Sequence, residues 1–409
     1  MPRGRKKQEA AVTVEDDGIA LSKEKVTRGK KKKDSSQDEV GDLSRDAMIL
    51  TILGSIKKEY GAEVVRMAND DQAINERRVK LNVISTGSIN FDKLTGVGGL
   101  AAGRIFEIRG KEGMFKTGIL LCLAAQAQKH GYMILFVDAE HRLDIDRAEM
   151  LGVNVKDPTK FVLGTPKNGE QAFSFVEKII KTIDKVFVII DSVSALLPSS
   201  DLKKNMDDGF GQMGAQARLI SNALKRLTSF ISKSDSIMAF TNQYRTQMAG
   251  MFAYTGASGG KALPYYNTYI LSVHWPHEPD KIIKNDQGEQ IGQFVELRME
   301  KNSTDFPARS RLVPIHLANG FWKELELLSI GLELGIVVRN GAWYTMVEFN
   351  KDGSINVNPE TDEPIFINIG QGRDGAIEYL KENVDIANLL EMFIRKSFNL
   401  YIGDEVQNG

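Results

Sequence analysis

Four stretches of this 409-residue chain carry side chains spaced for chemistry on a phosphate. The first is RGKEGMFKTG at 109–118, where Gly110 and the pair Lys116–Thr117 bracket five residues. This spacing fits the loop pattern G-x-x-x-x-G-K-[ST]. There, main-chain N–H groups cradle phosphates, the lysine reaches the outer phosphates and the hydroxyl ligates Mg²⁺. Gly110, Gly113 and Gly118 supply the small residues, but Phe115 stands where the second glycine of the pattern is expected. Such a phenylalanine must keep an allowed backbone and turn its ring away from the phosphates. The second stretch, FVDAEH at 136–141, ends a strand-like run in Asp138 and Glu140. A glutamate at a strand tip beside a phosphate loop can activate a water against a terminal phosphate, so Glu140 is the candidate base. Asp138 and His141 suit turn formation equally well. The third, FVIID at 187–191, places Asp191 after a wholly apolar run, where a carboxylate can orient water on Mg²⁺. Strand-end aspartates also cap helices, as Ser192 or Ser194 could, and it is the phosphate loop that favours the metal reading. The fourth is Asn242–Gln243, whose amides can donate to one group and accept from another. Gln243 is a candidate sensor of the terminal phosphate, with a satisfied buried amide as the alternative.

These residues require a sheet to hold them. The run 105–108 before the loop is rich in β-formers, and Ile119, Leu120, Leu123 and Ala124 after it recur at helical spacing. Strand and helix then alternate: strands at 105–109, 132–138, 161–163, 186–191 and 236–242, and helices at 117–130, near 144–151, 169–183 and 214–233. Strands apolar on both faces, separated by helices, predict an α/β fold with a mainly parallel sheet covered on both sides. Strands near 269–274, 294–300 and 311–316 lack intervening helices and are expected to extend the sheet antiparallel, making it mixed. Two irregular segments, 199–214 and 244–261, combine glycines with basic, methionine and aromatic residues, a texture suited to gripping nucleic acid as well as to simple loops.

The flanks differ from this core. Residues 1–41 hold basic clusters at 3–7 and 28–33 around acidic 15–17 and are expected to be a disordered tail. It either solubilises the chain or captures an acidic partner. Ser44 reads as the cap of an amphipathic helix ending at 60–61, whose apolar face needs a cover, and a charged linker runs to residue 80. Residues 81–318 form the expected core. Beyond it, 319–409 read as a small α+β domain with a Leu-rich helix at 325–334, an aromatic strand at 343–349 and a helix after Gly375. Net charge is −1, so any nucleic-acid contact must come from locally gathered basic groups. One cysteine, Cys122, rules out an internal disulfide framework, and five dispersed histidines give no zinc spacing. The longest apolar runs are too short to span a membrane and the N-terminus lacks a secretory signal, so a cytoplasmic location is expected.

In order along the chain, ISTGSINFD (84–92), the phosphate loop, FVDAEH, LGV (151–153), FVIIDSVSAL (187–196), QMGAQAR (212–218), TNQYR (241–245), TGASGGKAL (255–263), GAWY (341–344) and GQG (370–372) resemble the bacterial RecA recombinase family, including phage-encoded relatives. The resemblance covers roughly 44–397. It implies a RecA-like P-loop ATPase core with an N-terminal packing helix and a small C-terminal domain. It further implies ATP and Mg²⁺ as cofactors, single-stranded and homologous duplex DNA as partners, and self-assembly into a helical filament. Residue by residue, it implies that Lys116 and Thr117 bind ATP phosphate and Mg²⁺, that Glu140 is catalytic, that Asp191 holds the metal and that Gln243 couples the γ-phosphate to DNA. Segments 199–214 and 244–261 resemble the two DNA-binding loops, with Met213, Arg218, Arg245, Gly259 and Gly260 at contact positions. Lys301 resembles a lysine that reaches ATP across the subunit interface. The helix from Ser44 resembles the segment that packs on the neighbouring protomer. Several positions depart from the family. Ser303 replaces a second interface lysine, Arg147 replaces the tyrosine beside adenine, and the first DNA loop is two residues longer. The acidic C-terminal tail of some members is missing, and Phe115 is similar to some phage recombinases. These departures motivate a rival reading, a DNA-coating filament with slow turnover, and the shared core fold admits a ring helicase.

Overall fold

The computed structural model of the chain describes residues 37–61, 82–203, 214–249, 252–257, 262–276, 278–285, 287–305 and 309–400. Two units are distinguished, 1–77 and 78–409. In the first, α1 (Gln37–Tyr60) begins before Ser44, inside the stretch expected to be tail. Met48, Ile49, Leu50 and Ile52 are exposed on it. Because three of these are consecutive, they spread around the helix and do not form the narrow stripe of an amphipathic one.

In the second unit, β1 (Val83–Ile84) and β2 (Leu100–Ala101) form a short ribbon around α2 (Ile89–Thr95). Five strands joined by four helical crossovers follow. They comprise β3 (Ile105–Gly110), α3 (Lys116–Lys129), β4 (Met133–Asp138), α4 (Ile145–Met150), β5 (Phe161–Gly164), α5 (Gly169–Ile180), β6 (Val186–Asp191), the one-turn α6 (Ser199–Leu202), α7 (Ala215–Lys233) and β7 (Ile237–Ala249). The return arm β8 (Phe252–Ala257) pairs antiparallel with β7, and α8 (Ala262–Tyr266) leads to β9 (Tyr269–His274), which completes the parallel part. Antiparallel strands β10 (Ile282–Lys284), β11 (Gln290–Asn302), β12 (Ser310–His316) and β13 (Gly320–Phe321) extend it. The sheet order is β13-β12-β11-β9-β3-β7-β6-β4-β5. The mixed, mainly parallel sheet expected from the sequence is therefore present.

Two strands differ from expectation. Tyr269–His274 runs parallel to β3, not antiparallel, because the connection from β7 through α8 returns the chain to the same end of the sheet. Antiparallel growth begins only at β11. The described backbone from Tyr244 to Ala257 is an antiparallel hairpin, Tyr244 opposite Ala257 and Ala249 opposite Phe252, where an irregular loop was expected.

The parallel strands are apolar on both faces because a core covers each. Phe106, Ile108, Ile134, Phe136, Phe187 and Ile189 pack with α3, whereas Ile105, Leu135, Val188, Ile190 and Phe240 pack with α5 and α7. Cys122 belongs to the first core, and burial pushes its thiol up to about 11, so it stays an unreactive space-filler.

The C-terminal region comprises α9 (Lys323–Glu333), β14 (Val337–Asn340), β15 (Trp343–Val347), β16 (Phe366–Gln371), α10 (Gly372–Glu382) and α11 (Val384–Ser397), with a third core that also takes in Ile89 of α2 and Ile283 of β10. Two polar ties fix it to the ISTGSINFD stretch. Glu326 is buried and accepts from Ser88 Oγ at 2.8 Å, Ile89 N at 3.0 Å and Asn90 N at 3.0 Å, satisfying the free donors of α2. Arg395 pairs with buried Asp92 at 2.8 Å and reaches Ser85 Oγ at 3.0 Å.

Candidate nucleotide and nucleic-acid site

Register brings the polar strand ends together. Gly110 lies opposite Gln243, and Asp138 opposite Asp191. With β3, β7, β6 and β4 adjacent, all four lie along the carboxyl edge of the sheet, where open α/β folds bind ligands. A cleft of about 370 Å³ opens there, and its walls include Gly113, Phe115, Lys116, Thr117, Gly118, Glu140, Arg147, Asp191 and Gln243.

The loop between β3 and α3 bends through Gly113, at φ 75°. Lys116 Nζ donates to the carbonyl of Lys111 at 2.7 Å, an ammonium held on its own loop. Burial lowers its pKa, while Asp191, Glu140 and Glu112 raise it. Phe115 departs from the expected allowed backbone. It sits at φ 58°, ψ 22°, the left-handed conformation that glycine adopts freely and that costs other residues about 1–2 kcal/mol. Its ring lies over Gly118, where an added Cβ would fall 2.3 Å from Phe115 Cε2. The Arg147 guanidinium stands 5.7 Å from the ring centroid. Arg147 in turn donates to the carbonyl of Ala318 at 2.8 Å and to that of Leu317, tying α4 to the turn between β12 and β13. Phe115 and Gly118 of the loop and Arg147 of α4 thus form one contact set.

Asp191 does not cap a helix. Its carboxylate accepts from Thr117 Oγ1 at 2.6 Å and from Thr241 Oγ1, a partner from β7 that the sequence did not suggest. Burial raises its pKa against those two hydrogen bonds, and the neighbouring Glu140 and Asp138 push it the same way. A hydroxyl and a carboxylate this close, beside two further carboxylates, are hard oxygen donors whose crowded charge a divalent cation relieves. Among the described residues no group of three or more His, Cys, Asp or Glu side chains forms a metal cage. Such an ion at Thr117 and Asp191 would complete its shell with phosphate and water, the habit of Mg²⁺. The peptide bond from Asp191 to Ser192 is cis.

Glu140 accepts from Ser192 Oγ, which also contacts Ser194 Oγ at 2.6 Å, and Arg142 stands 3.8 Å away. Asp138 takes the turn-forming role weighed for it, accepting from the N–H groups of Arg142 at 3.1 Å and Leu143 at 2.9 Å. His141, at φ 56°, lies in the same turn. The satisfied buried amide proves to be Asn242, which donates to Glu107 at 2.7 Å, whereas Gln243 is half-buried and faces the cleft.

The remaining expected residues fall elsewhere. Gly110 ends β3 with open space for a Cβ limited by Val273 O at 3.2 Å. Lys301 is absent from the walls of its own chain's cleft; its ammonium binds the carbonyls of Pro264 and Asn267 at 2.7 Å each. Arg218 lies in the first turns of α7, and Ser303 follows β11. Met213, Gly259 and Gly260 lie outside the described residues, and for Arg245 only the backbone, within β7, is described.

Fold and site together define a P-loop nucleotide-binding α/β protein. The RecA N-terminal domain family matches residues 47–322, well over half of the chain. Proteins named Protein RecA from Rickettsia canadensis and Caldanaerobacter subterraneus subsp. tengcongensis are 34% and 35% identical over 87% and 85% of this chain and 95% and 92% of their own length. A third, from Leptospira meyeri, is 34% identical over 92% of this chain and 89% of its own. The chain belongs to the RecA family.

Proposed function

We propose that the protein is an ATP-dependent homologous recombinase that polymerises on single-stranded DNA and pairs it with homologous duplex. The observation that carries this reading is the placement of Lys116, Thr117–Asp191, Glu140 and Gln243 around one cleft, with the strand bearing Gln243 continuing without a break into the 244–257 hairpin. The loop binds the phosphates of ATP, with Lys116 exchanging the Lys111 carbonyl for phosphate oxygen. Thr117 and Asp191 hold Mg²⁺, which neutralises phosphate charge when bound. Glu140, oriented by Ser192, orients and deprotonates the attacking water. Arg147, which lines the cleft with Phe115, stacks beside the adenine. Gln243 relays the terminal phosphate to the hairpin, so that nucleotide favours the DNA-tight state and hydrolysis releases it.

DNA contacts come from the 199–214 and 244–261 segments, with Met213, Arg245, Gly259 and Gly260, and from Arg218 in the helix that follows the first. In the filament, α1 packs its exposed Met48, Ile49, Leu50 and Ile52 on the neighbouring protomer, and Lys301 turns to that neighbour's nucleotide. This activity belongs in the cytoplasm of a bacterium or a phage-infected one. Electron microscopy of Glu140→Gln with ATP and single-stranded DNA tests the assembly. Persistent filaments without hydrolysis are expected, and failure of both this variant and wild type to coat DNA would remove the reading. A slow, purely coating filament is the second reading, motivated by Ser303 and by the strained Phe115.

A further inference from the structure

Glu107 lies in the middle of β3 with 0% exposure, within a stretch otherwise built of core residues. Its carboxylate is fully engaged. Oε1 accepts from Arg109 Nε at 2.8 Å and Asn242 Nδ2 at 2.7 Å, and Oε2 accepts from Arg109 Nη2 at 3.0 Å and Asn267 Nδ2 at 2.7 Å. Arg109 extends the chain of contacts: its Nη1 lies 3.2 Å from Glu300 Oε2, and the Tyr244 hydroxyl donates to Glu300 Oε1. Stability alone does not call for this arrangement, because apolar residues of similar volume usually serve a buried site as well as an ion pair does.

Where each arm leads is more informative. β3 runs directly into the phosphate loop at Gly110. Asn242 precedes Gln243 on β7, and its Oδ1 accepts from the Gln243 N–H at 2.9 Å. Tyr244 pairs with Ala257 as the first rung of the hairpin. Asn267 offers its main-chain carbonyl to Lys301, the neighbour of Glu300. One connected set of polar contacts therefore joins the strand before the loop, the strand bearing Gln243, the root of the hairpin and the strand bearing Lys301. The bonds from Asn242 and Asn267 to Glu107 are buried, so a shift there must either carry its partners or break a buried bond, and the Arg109–Glu300 and Tyr244–Glu300 links continue the set towards the surface.

We propose that Glu107, Arg109, Glu300 and Tyr244 are positioning residues that couple the nucleotide cleft to the 244–257 hairpin, with the Tyr244–Glu300 bond holding the root of the hairpin in the register that Gln243 reads. The coupling rests on the DNA-binding role proposed above for that hairpin. Neither Tyr244 nor Glu300 lines the cleft, so their removal acts on coupling and not on nucleotide contacts.

Tyr244→Phe removes the hydroxyl and keeps the ring, and is a safer probe than Glu107→Gln, which would leave Arg109 facing an amide in a dry core. The affinity for a slowly hydrolysed fluorescent ATP analogue is measured with and without saturating single-stranded DNA, for wild type, Tyr244→Phe, Glu300→Gln and the double variant. The expected result is an affinity without DNA within about threefold of wild type, but a DNA-induced gain cut about fivefold or more, towards one. The double variant is expected to lose less than the sum of the two singles, because both act on the same Tyr244–Glu300 bond. Three results overturn the proposal: a wild-type gain in Tyr244→Phe, equal losses with and without DNA, or additive effects in the double variant. If wild type itself binds no DNA or gains nothing from it, the functional reading fails as well, which separates the two failures.

Discussion

Replacing Gly118 by alanine tests how the loop accommodates its phenylalanine. The new Cβ would meet Phe115 Cε2, Cζ and Cδ2 at 2.3, 2.4 and 2.7 Å. Carbon atoms pack at about 3.5–4.0 Å, so the ring must retreat by roughly 1 Å or more. The left-handed backbone of Phe115 and the Arg147 contact confine that movement. Overpacking of this kind costs about 1–3 kcal/mol. Alanine in a helix otherwise gains about 0.5–1 kcal/mol over glycine, which leaves a net penalty of about 1–2 kcal/mol. Because the distortion falls on the phosphate loop, nucleotide affinity should drop by roughly 5- to 30-fold, at about 1.4 kcal/mol per factor of ten. Phe115→Gly alone removes about 1 kcal/mol of left-handed strain and loses a half-buried ring, so its nucleotide binding should stay close to wild type. In the double variant the clash is gone and affinity should return to that of Phe115→Gly. Titration of a fluorescent ATP analogue against the four proteins decides the matter. A double variant as weak as Gly118→Ala would show that Gly118 serves phosphate approach instead, and a large loss in Phe115→Gly would show that the ring itself contacts nucleotide.

Two further predictions concern the ties between the core and the C-terminal region. Burial pushes the Glu326 carboxyl from 4.5 up to about 7, against the hydrogen bonds from Asn90, Ser88 and Ile89. The folded protein thus holds this proton more tightly than the unfolded chain. The resulting stability is fully present below about pH 4.5 and is lost as pH rises through 7, a span worth about 3 kcal/mol. Thermal unfolding of wild type and Glu326→Gln from pH 4.5 to 8 should show the wild-type advantage shrinking with pH, and a growing advantage would contradict the assignment. Arg395→Leu leaves Asp92 buried without its cation and should cost about 3–5 kcal/mol, seen as a melting temperature lowered by about 5 °C or more. Adding Asp92→Asn should recover part of that loss, and a single variant that melts with wild type would refute the tie.

The parts of this architecture legible in the sequence are those set by local chemistry. Strands β3, β4 and β6 announce themselves as apolar runs, and Glu140 and Asp191 stand where β4 and β6 leave the core, the place a polar side chain reaches solvent or ligand without a dedicated buried partner. Long-range partners leave no such trace. Glu107 reads as a polar interruption of an apolar run until Asn242 and Asn267, 135 and 160 residues away, supply its donors. Arg395 and Asp92 are 303 residues apart, and Arg147 is fixed by carbonyls 170 and 171 residues on, which any sequence can provide. The hairpin after Gln243 is hidden for another reason: β8 pairs with β7 alone, and that pairing brings together residues of one glycine-rich stretch whose sequence shows no period. The direction of β9 depended on a five-residue helix too short to show a period. Phe115 was visible as an anomaly, but its accommodation required the geometry of Gly118 and Arg147.

The most direct test of the proposed activity is the steady-state rate of ATP hydrolysis by the full chain with and without single-stranded DNA, alongside Glu140→Gln. Stimulation of about tenfold or more by DNA is predicted for wild type, with a loss of at least about 100-fold in Glu140→Gln. A wild-type rate indifferent to DNA, or a Glu140→Gln variant that hydrolyses ATP like wild type, would contradict it.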